Sequence, residues 1–257
     1  VRRVTVADRV IDYIDMAFTV ATSGRPGPTV ILLPADLLLE EIETPSPRTA
    51  NLGAYPLDRV AADPERIQEA ADLLAGAKRP LVVAGGGIHL SGACQEISAL
   101  QAAAHLPVMT TVMGKGAVDD AHPLTVGVIG YYMATYSASK FMRPLVDEAD
   151  VIIAVGNRTN QNGTDSWQLL PKGARLIHID IDPQEIGRNH EALRLVGDAR
   201  ATLSALQIAL QSHDLSRRAD VRSGIEARIT AAKADYAKEV SPVATSSAKP
   251  VRPERMM

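Results

Sequence analysis

Residues 80–87, PLVVAGGG, constrain the fold of this chain more than any other stretch: a short apolar run that opens on Pro80 and ends in three consecutive glycines. A run of that length, rich in Val and bounded by Pro and Gly, predicts a buried parallel strand rather than a helical segment. The glycines predict a sharp turn after it. Lacking Cβ atoms, Gly85, Gly86 and Gly87 also permit a phosphate or ribose to approach the main chain, whose N–H groups and following helix N-terminus favour anions. A tight strand-to-helix turn without a ligand accounts for the same residues. The dinucleotide fingerprint Gly-x-Gly-x-x-Gly is incomplete, because Leu90 holds its last position.

The pattern around this strand is regular. Asp63-Pro64-Glu65 supplies a cap, a first-turn proline and an acid at the positive end of a helix, and Ile67, Ala70, Ala71 and Leu74 share one face. Further strands are expected over residues 107–111, 124–128, 151–155, 175–181 and 194–196, and helices over 92–105, 132–143 and 199–211. Strands alternating with helical stretches predict an α/β domain, a doubly wound, Rossmann-like parallel sheet of about six strands covered on both faces. Residues 4–21 predict a helix, followed by a Gly- and Pro-rich turn and a buried strand at 29–33 that needs sheet partners from elsewhere. Residues 40–56 read as a linker, residues 216–240 as a charged helix with an apolar stripe at Ile225, Ile229, Ala232 and Tyr236, and the end of the chain as a tether.

Composition narrows the function. A net charge of −3 with both signs interspersed gives no basic face for nucleic acid. The apolar runs fall short of the ~18 residues that span a bilayer, and no signal-peptide core opens the chain, so a cytoplasmic protein without membrane contact is expected. Cys94 is the only cysteine, which excludes an internal disulfide and a cysteine metal cluster; its helical spacing to Ile97 and Leu100 makes it a small core residue. The six histidines are scattered at spacings that suit no metal site, and no nucleophile–base constellation can be assembled.

In an open parallel sheet ligands lie beyond the carboxyl ends of the strands. Those ends present Gly85 to Gly87, then Thr110 through Gly116, Gly127 through Gly130, Gly156-Asn157-Arg158, and His178 through Asp182. Together they predict an extended, nucleotide-shaped cleft. Asp180 or Asp182 offers acceptors for a ribose diol or an adenine amino group, or caps the turn before Pro183. Arg158 offers a fork for a diphosphate, or a surface ion pair. Asp198 closes over the adenine end, or is the N-cap of the helix from Ala199. Lys115 has the glycines of a phosphate loop without the Ser or Thr that should follow.

These motifs, in order over residues 5–211, resemble the thiamine-diphosphate-dependent enzymes of the acetolactate synthase group. The resemblance rests on Arg25-Pro-Gly-Pro28, Pro34-Ala-Asp36, Arg79-Pro80 with Ala84 to Gly87, Ser91-Gly-Ala93, Thr110-Thr111 with Gly114-Lys-Gly116, His122-Pro-Leu124 and Gly127. It continues through Gly156-x-Arg158, the run from Ile177 to Pro183, Glu185-Ile-Gly187 and Gly197-Asp-Ala199. It implies that residues 1–42 end a pyrimidine-binding domain, 43–56 link it onward, 57–213 form the central domain, and 214–257 lead toward a diphosphate-binding domain. The chain is then expected to be an inert fragment of a 2-keto acid decarboxylase or carboligase. That enzyme would be a dimer or tetramer using thiamine diphosphate and magnesium, with its catalytic glutamate and metal-binding Gly-Asp-Gly motif outside this sequence. A stand-alone nucleotide-binding or purely structural module of the same fold is the alternative. In flavin-containing members the central domain holds FAD across the strand ends, largely as a structural group, so the resemblance implies FAD in this chain, with ADP or an empty cleft as the alternatives. Carried over by position, the contacts come from Arg25, Gly85, Gly86, Gly87, Thr111, Val112, Met113, Gly127, Gly156, Arg158, Asp180, Ile181, Asp198 and Ala199. Two positions depart from the pattern: Ile129 stands where a His is usual near the flavin, and Asn160 where an Asp follows the Gly-x-Arg.

Overall fold

The computed structural model describes residues 1–43, 54–134 and 137–256. The linker expected over 40–56 falls mostly outside them. The chain divides into two compact units, Val1–Val60 and Ala61–Met257.

In the first unit, β1 (Arg2–Arg3) pairs in parallel with β2 (Ile31–Leu32), and α1 (Val10–Thr22) lies between them in sequence. The strand expected at 29–33 is thus reduced to two paired residues. Helix α1 has no buried residue, and Leu32 remains half exposed.

The second unit begins with α2 (Pro64–Gly76), capped as its sequence predicts: the Asp63 carboxylate accepts from the N–H of Glu65 at 2.8 Å. Ile67, Ala70, Ala71 and Leu74 are buried. Then come β3 (Pro80–Ala84), α3 (Gly87–Ser91), α4 (Cys94–Ala103), β4 (Val108–Thr110), β5 (Thr125–Val128), α5 (Arg143–Asp147), β6 (Val151–Val155), β7 (Arg175–Asp180), β8 (Leu193–Val196), α6 (Ala199–Leu210) and α7 (Ser216–Ala244). The six strands β3 to β8 form one wholly parallel sheet in the order β5-β4-β3-β6-β7-β8. The order runs outward from β3 to one edge, then from β6 to the other, so the topological switch point lies between β3 and β6. Every residue of those two strands is buried, as expected of apolar runs covered on both faces.

Alternation divides the core. Val82 and Ala84 join one cluster with residues of α2, α3, α4 and α6, while Leu81 and Val83 join another with Met109, Met142, Val146, Ile229 and Ala232. The second face is therefore covered by α5, α7 and irregular chain. Helix α7 reaches past the expected 240, and its stripe packs on that face through Ile225, Ile229 and Ala232.

The helix expected over 92–105 is present as α4, and a further helical turn, α3, precedes it, closed by Gly92 at φ +65°. One helical expectation needs correction. The helix expected over 132–143, of which residues 135 and 136 lie outside the described residues, is replaced. Short 3₁₀ turns occupy Tyr131–Met133 and Lys140–Met142, and α5 follows. Here Ser137 Oγ donates to the Tyr132 and Ala134 carbonyls, and Ser139 Oγ accepts from the Val128 N–H at 3.0 Å, so serines compete with the helical ladder.

Candidate nucleotide site at the strand ends

At the switch point the turn after β3 meets the turn after β6, main chain against main chain. A Cβ on Gly85 would stand 2.2 Å from the Gly156 carbonyl oxygen, and one on Gly87 only 2.6 Å from the Gly156 Cα. Gly156 has φ +56° and meets Gly87 in return. The N–H groups of Gly85 and Gly87 donate to the Val155 and Gly156 carbonyls at 2.8 and 3.0 Å. These two glycines therefore have a packing reason to be glycine, and their N–H groups are engaged within the protein. Gly86 differs. It is only partly buried, its φ of −62° suits any residue, and a Cβ there would meet Met113 Cβ at 3.1 Å.

The next loops complete the rim. Thr111 Oγ1 accepts from the Gly114 N–H at 3.1 Å, which caps the turn Val112–Gly114. Gly114 lies under that turn, where a Cβ would be 2.1 Å from the Ala84 carbonyl oxygen. Val112 and Met113 are left 52% and 75% exposed, an apolar lip at the end of β4. Gly127, at φ +136°, sits where the β4–β5 register shifts, and a Cβ there would stand 2.8 Å from Ser139 Oγ. Beyond Gly156, Arg158 is exposed, and among the described residues its guanidinium makes no ion pair.

Two acids are more enclosed. Asp180, buried at the end of β7, accepts from the Asp182 N–H at 2.9 Å, and Ile181 beside it is half-buried. Asp198 is the N-cap of α6: one oxygen accepts from the Ala201 N–H at 3.0 Å and the other from the Ser91 hydroxyl at 2.7 Å. Asp198 and the buried Ala199 thus join α6 to α3. Arg25 is exposed and belongs to the first unit.

Sequence reasoning passed over the side chains that shape this rim from beneath. His178 is 1% exposed; its Nε2 lies 2.7 Å from the Asn157 carbonyl oxygen, and burial lowers its pKa. Asn189 Nδ2 donates to the Thr159 carbonyl at 2.9 Å, and Ser139 supports Gly127. No local signal marks such roles, because each partner lies far away in sequence.

An open cleft of about 1200 Å³ lies elsewhere, against the starts of β7 and β8 and the chain from Trp167 to Ala174. No group of three or more His, Cys, Asp and Glu residues that could hold a metal occurs among the described residues. No helix among them is long and apolar enough to cross a membrane.

A doubly wound, all-parallel six-stranded sheet with Gly-lined turns at its switch point defines a Rossmann-like class of α/β domain. Comparison with known proteins narrows the class: residues 67–206 match the thiamine pyrophosphate enzyme central domain, and the chain belongs to the thiamine-pyrophosphate-dependent enzymes of the acetolactate synthase group. It is 37% identical over 245 residues to a probable acetolactate synthase large subunit of Methanocaldococcus jannaschii, covering 94% of this chain and 39% of that protein. It is 33% identical over 207 residues to a glyoxylate carboligase of Escherichia coli O157:H7, covering 80% of this chain and 33% of that one. Benzoylformate decarboxylase from Polynucleobacter necessarius shares the fold, with TM-score 0.65 and 21% identity over 82% of this chain and 38% of its own. The chain spans about two fifths or less of the length of these proteins.

Proposed function

We propose that this chain is the cofactor-holding central part of a thiamine-diphosphate-dependent decarboxylase or carboligase of 2-keto acids, and that its strand-end rim binds FAD as a structural group, or ADP in its place. The observation that carries this reading is the composition of the rim. The exposed guanidinium of Arg158, with no ion pair among the described residues, stands beside a main-chain junction at the switch point, and an apolar lip of Val112 and Met113 lies at the end of β4. A fork-shaped cation suits a diphosphate, and exposed apolar side chains suit a flat ring. The fit is to a ligand lying over Gly86, Met113 and Arg158, with Asp180 near its ribose end. It is not to a phosphate nested in the amides of Gly85 and Gly87, which are already bonded.

Thiamine diphosphate supplies the electron sink of such reactions. Among the described residues no group of three or more His, Cys, Asp and Glu could anchor a metal-bound diphosphate; in this reading, binding of that cofactor and its magnesium, oligomer formation and turnover belong to the longer protein. The proposed cellular setting is the cytoplasm.

Calorimetric titration of the chain with FAD and with ADP tests the reading. Binding is expected for one or both, and the Gly86→Val variant, which keeps an allowed backbone conformation, is expected to fold and lose it. No heat with either nucleotide would leave a purely structural domain. Release of carbon dioxide from pyruvate by the isolated chain with thiamine diphosphate and magnesium would contradict its inert character.

A further inference from the structure

We propose that His178 is a positioning residue for this rim: a buried, neutral imidazole strut that sets the loop carrying Arg158 against the turn after β7. The inference rests on the nucleotide reading above. The Gly187 N–H lies 3.4 Å from Nδ1 and is a donor, so Nδ1 accepts; the proton is then on Nε2, which donates to the Asn157 carbonyl at 2.7 Å. One ring thus joins two segments that are separate in sequence.

Each segment is held from its far side as well. Asn157 Oδ1 accepts from the Thr159 N–H at 2.9 Å, and Asn189 Nδ2 donates to the Thr159 carbonyl at 2.9 Å. The turn after β7 is clamped by Arg194, whose guanidinium donates to the Pro183 carbonyl at 2.7 Å and to the Ile186 carbonyl. Gly187, at φ +74°, lets its N–H face the ring, and a Cβ there would stand 3.2 Å from Arg194 Nη1. Arg158 itself is exposed, so the aim of its guanidinium is set by the main chain on which it stands. His178 bonds that main chain one residue before Arg158, and Asn157 and Asn189 hold it one residue after. The charged and titratable groups facing the ring are Arg194 from β8, and Glu185 and His190 from the β7–β8 connection.

The test compares His178→Leu with His178→Gln, whose side-chain amide N–H can replace the Nε2 donor. Titrated with ADP and FAD, His178→Leu is expected to bind at least about tenfold more weakly than the wild type, and His178→Gln to stay within about threefold. Wild-type affinity in a folded His178→Leu would overturn the assignment, and so would equal losses in the two variants. Amide hydrogen exchange separates this from the nucleotide reading. If the wild type binds neither nucleotide, that reading fails, while the strut still requires the Thr159 amide, on the segment that Nε2 holds, to exchange about tenfold faster in His178→Leu than in His178→Gln. Equal exchange would overturn it. Should His178→Leu not fold, His178→Asn, which keeps an acceptor for Gly187 but is too short for Asn157, takes its place with the same outcomes.

Discussion

Replacing Gly85 by Ala should make the second unit unfold far more readily than the wild type, because nothing around the new atom can yield. Its three nearest neighbours would be main-chain atoms at 2.2, 2.8 and 2.8 Å, all from Gly156 and Asn157. Overfilling a packed interior costs about 1–3 kcal/mol when side chains can shift. Here relief requires separating the two turns, which weakens the Gly85 N–H to Val155 and Gly87 N–H to Gly156 bonds, each worth about 1 kcal/mol. The sum is about 3–5 kcal/mol. Gly224→Ala is the control: in the interior of α7 with nothing within 4 Å of its Cβ, it should stabilise by about 0.5–1 kcal/mol through helix propensity. Urea unfolding followed by the fluorescence of Trp167, the only tryptophan, reports on this unit. With a slope of about 2–3 kcal/mol per molar, the Gly85 variant should melt at least about 1 M earlier. A shift no larger than that of the control, in either direction, would refute the idea that the switch point is closed by main-chain contact.

Three further outcomes are expected. Asp198→Ala removes the cap of α6 and leaves the Ser91 hydroxyl without that acceptor, so a loss of about 1–3 kcal/mol in the same urea assay is expected, while Asp198→Asn should recover much of it. Arg218 is 5% exposed, has Nε and Nη2 unpartnered, and burial lowers its pKa to about 10, so Arg218→Met should be neutral or stabilising, whereas Arg218→Ala should destabilise. Burial lowers the pKa of His178 in the folded protein; the unfolded chain therefore binds the extra proton first, and stability is complete above about pH 6.5 and falls as pH drops below it. The slope from this group alone is at most about 1.4 kcal/mol per pH unit, and His178→Gln should flatten the pH dependence of the unfolding free energy from urea titrations by up to that amount.

Much of the fold was legible because the strands are continuous apolar runs. Leu81 to Ala84 and Val151 to Val155 contain no polar residue, so length and flanking turns were enough to place them. The cap at Asp63-Pro64 fixed the start of α2 for equally local reasons. The segment from Tyr132 to Arg143 misled because helical spacing of apolar residues ignores serine hydroxyls, and Ser137 and Ser139 bond the main chain instead. At the site, a run of three glycines signals close approach without saying what approaches. For Gly85 and Gly87 it is Gly156, about 70 positions away in sequence and invisible to local reasoning. The role of His178 was hidden for a related reason: its partners, Asn157 and Gly187, lie 21 and 9 residues away. The two readings of Asp198 were both tenable from sequence; its bonds to the Ala201 N–H and Ser91 give it the cap.

The most direct test of the central claim is a crystal structure of this chain grown with ADP. The nucleotide is expected across the carboxyl ends of β3, β6 and β7, its diphosphate beside Arg158 and its sugar toward Asp180. Nucleotide density confined to the cleft by Trp167 and His190, or a strand-end rim left empty at saturating ADP and FAD alike, would contradict it.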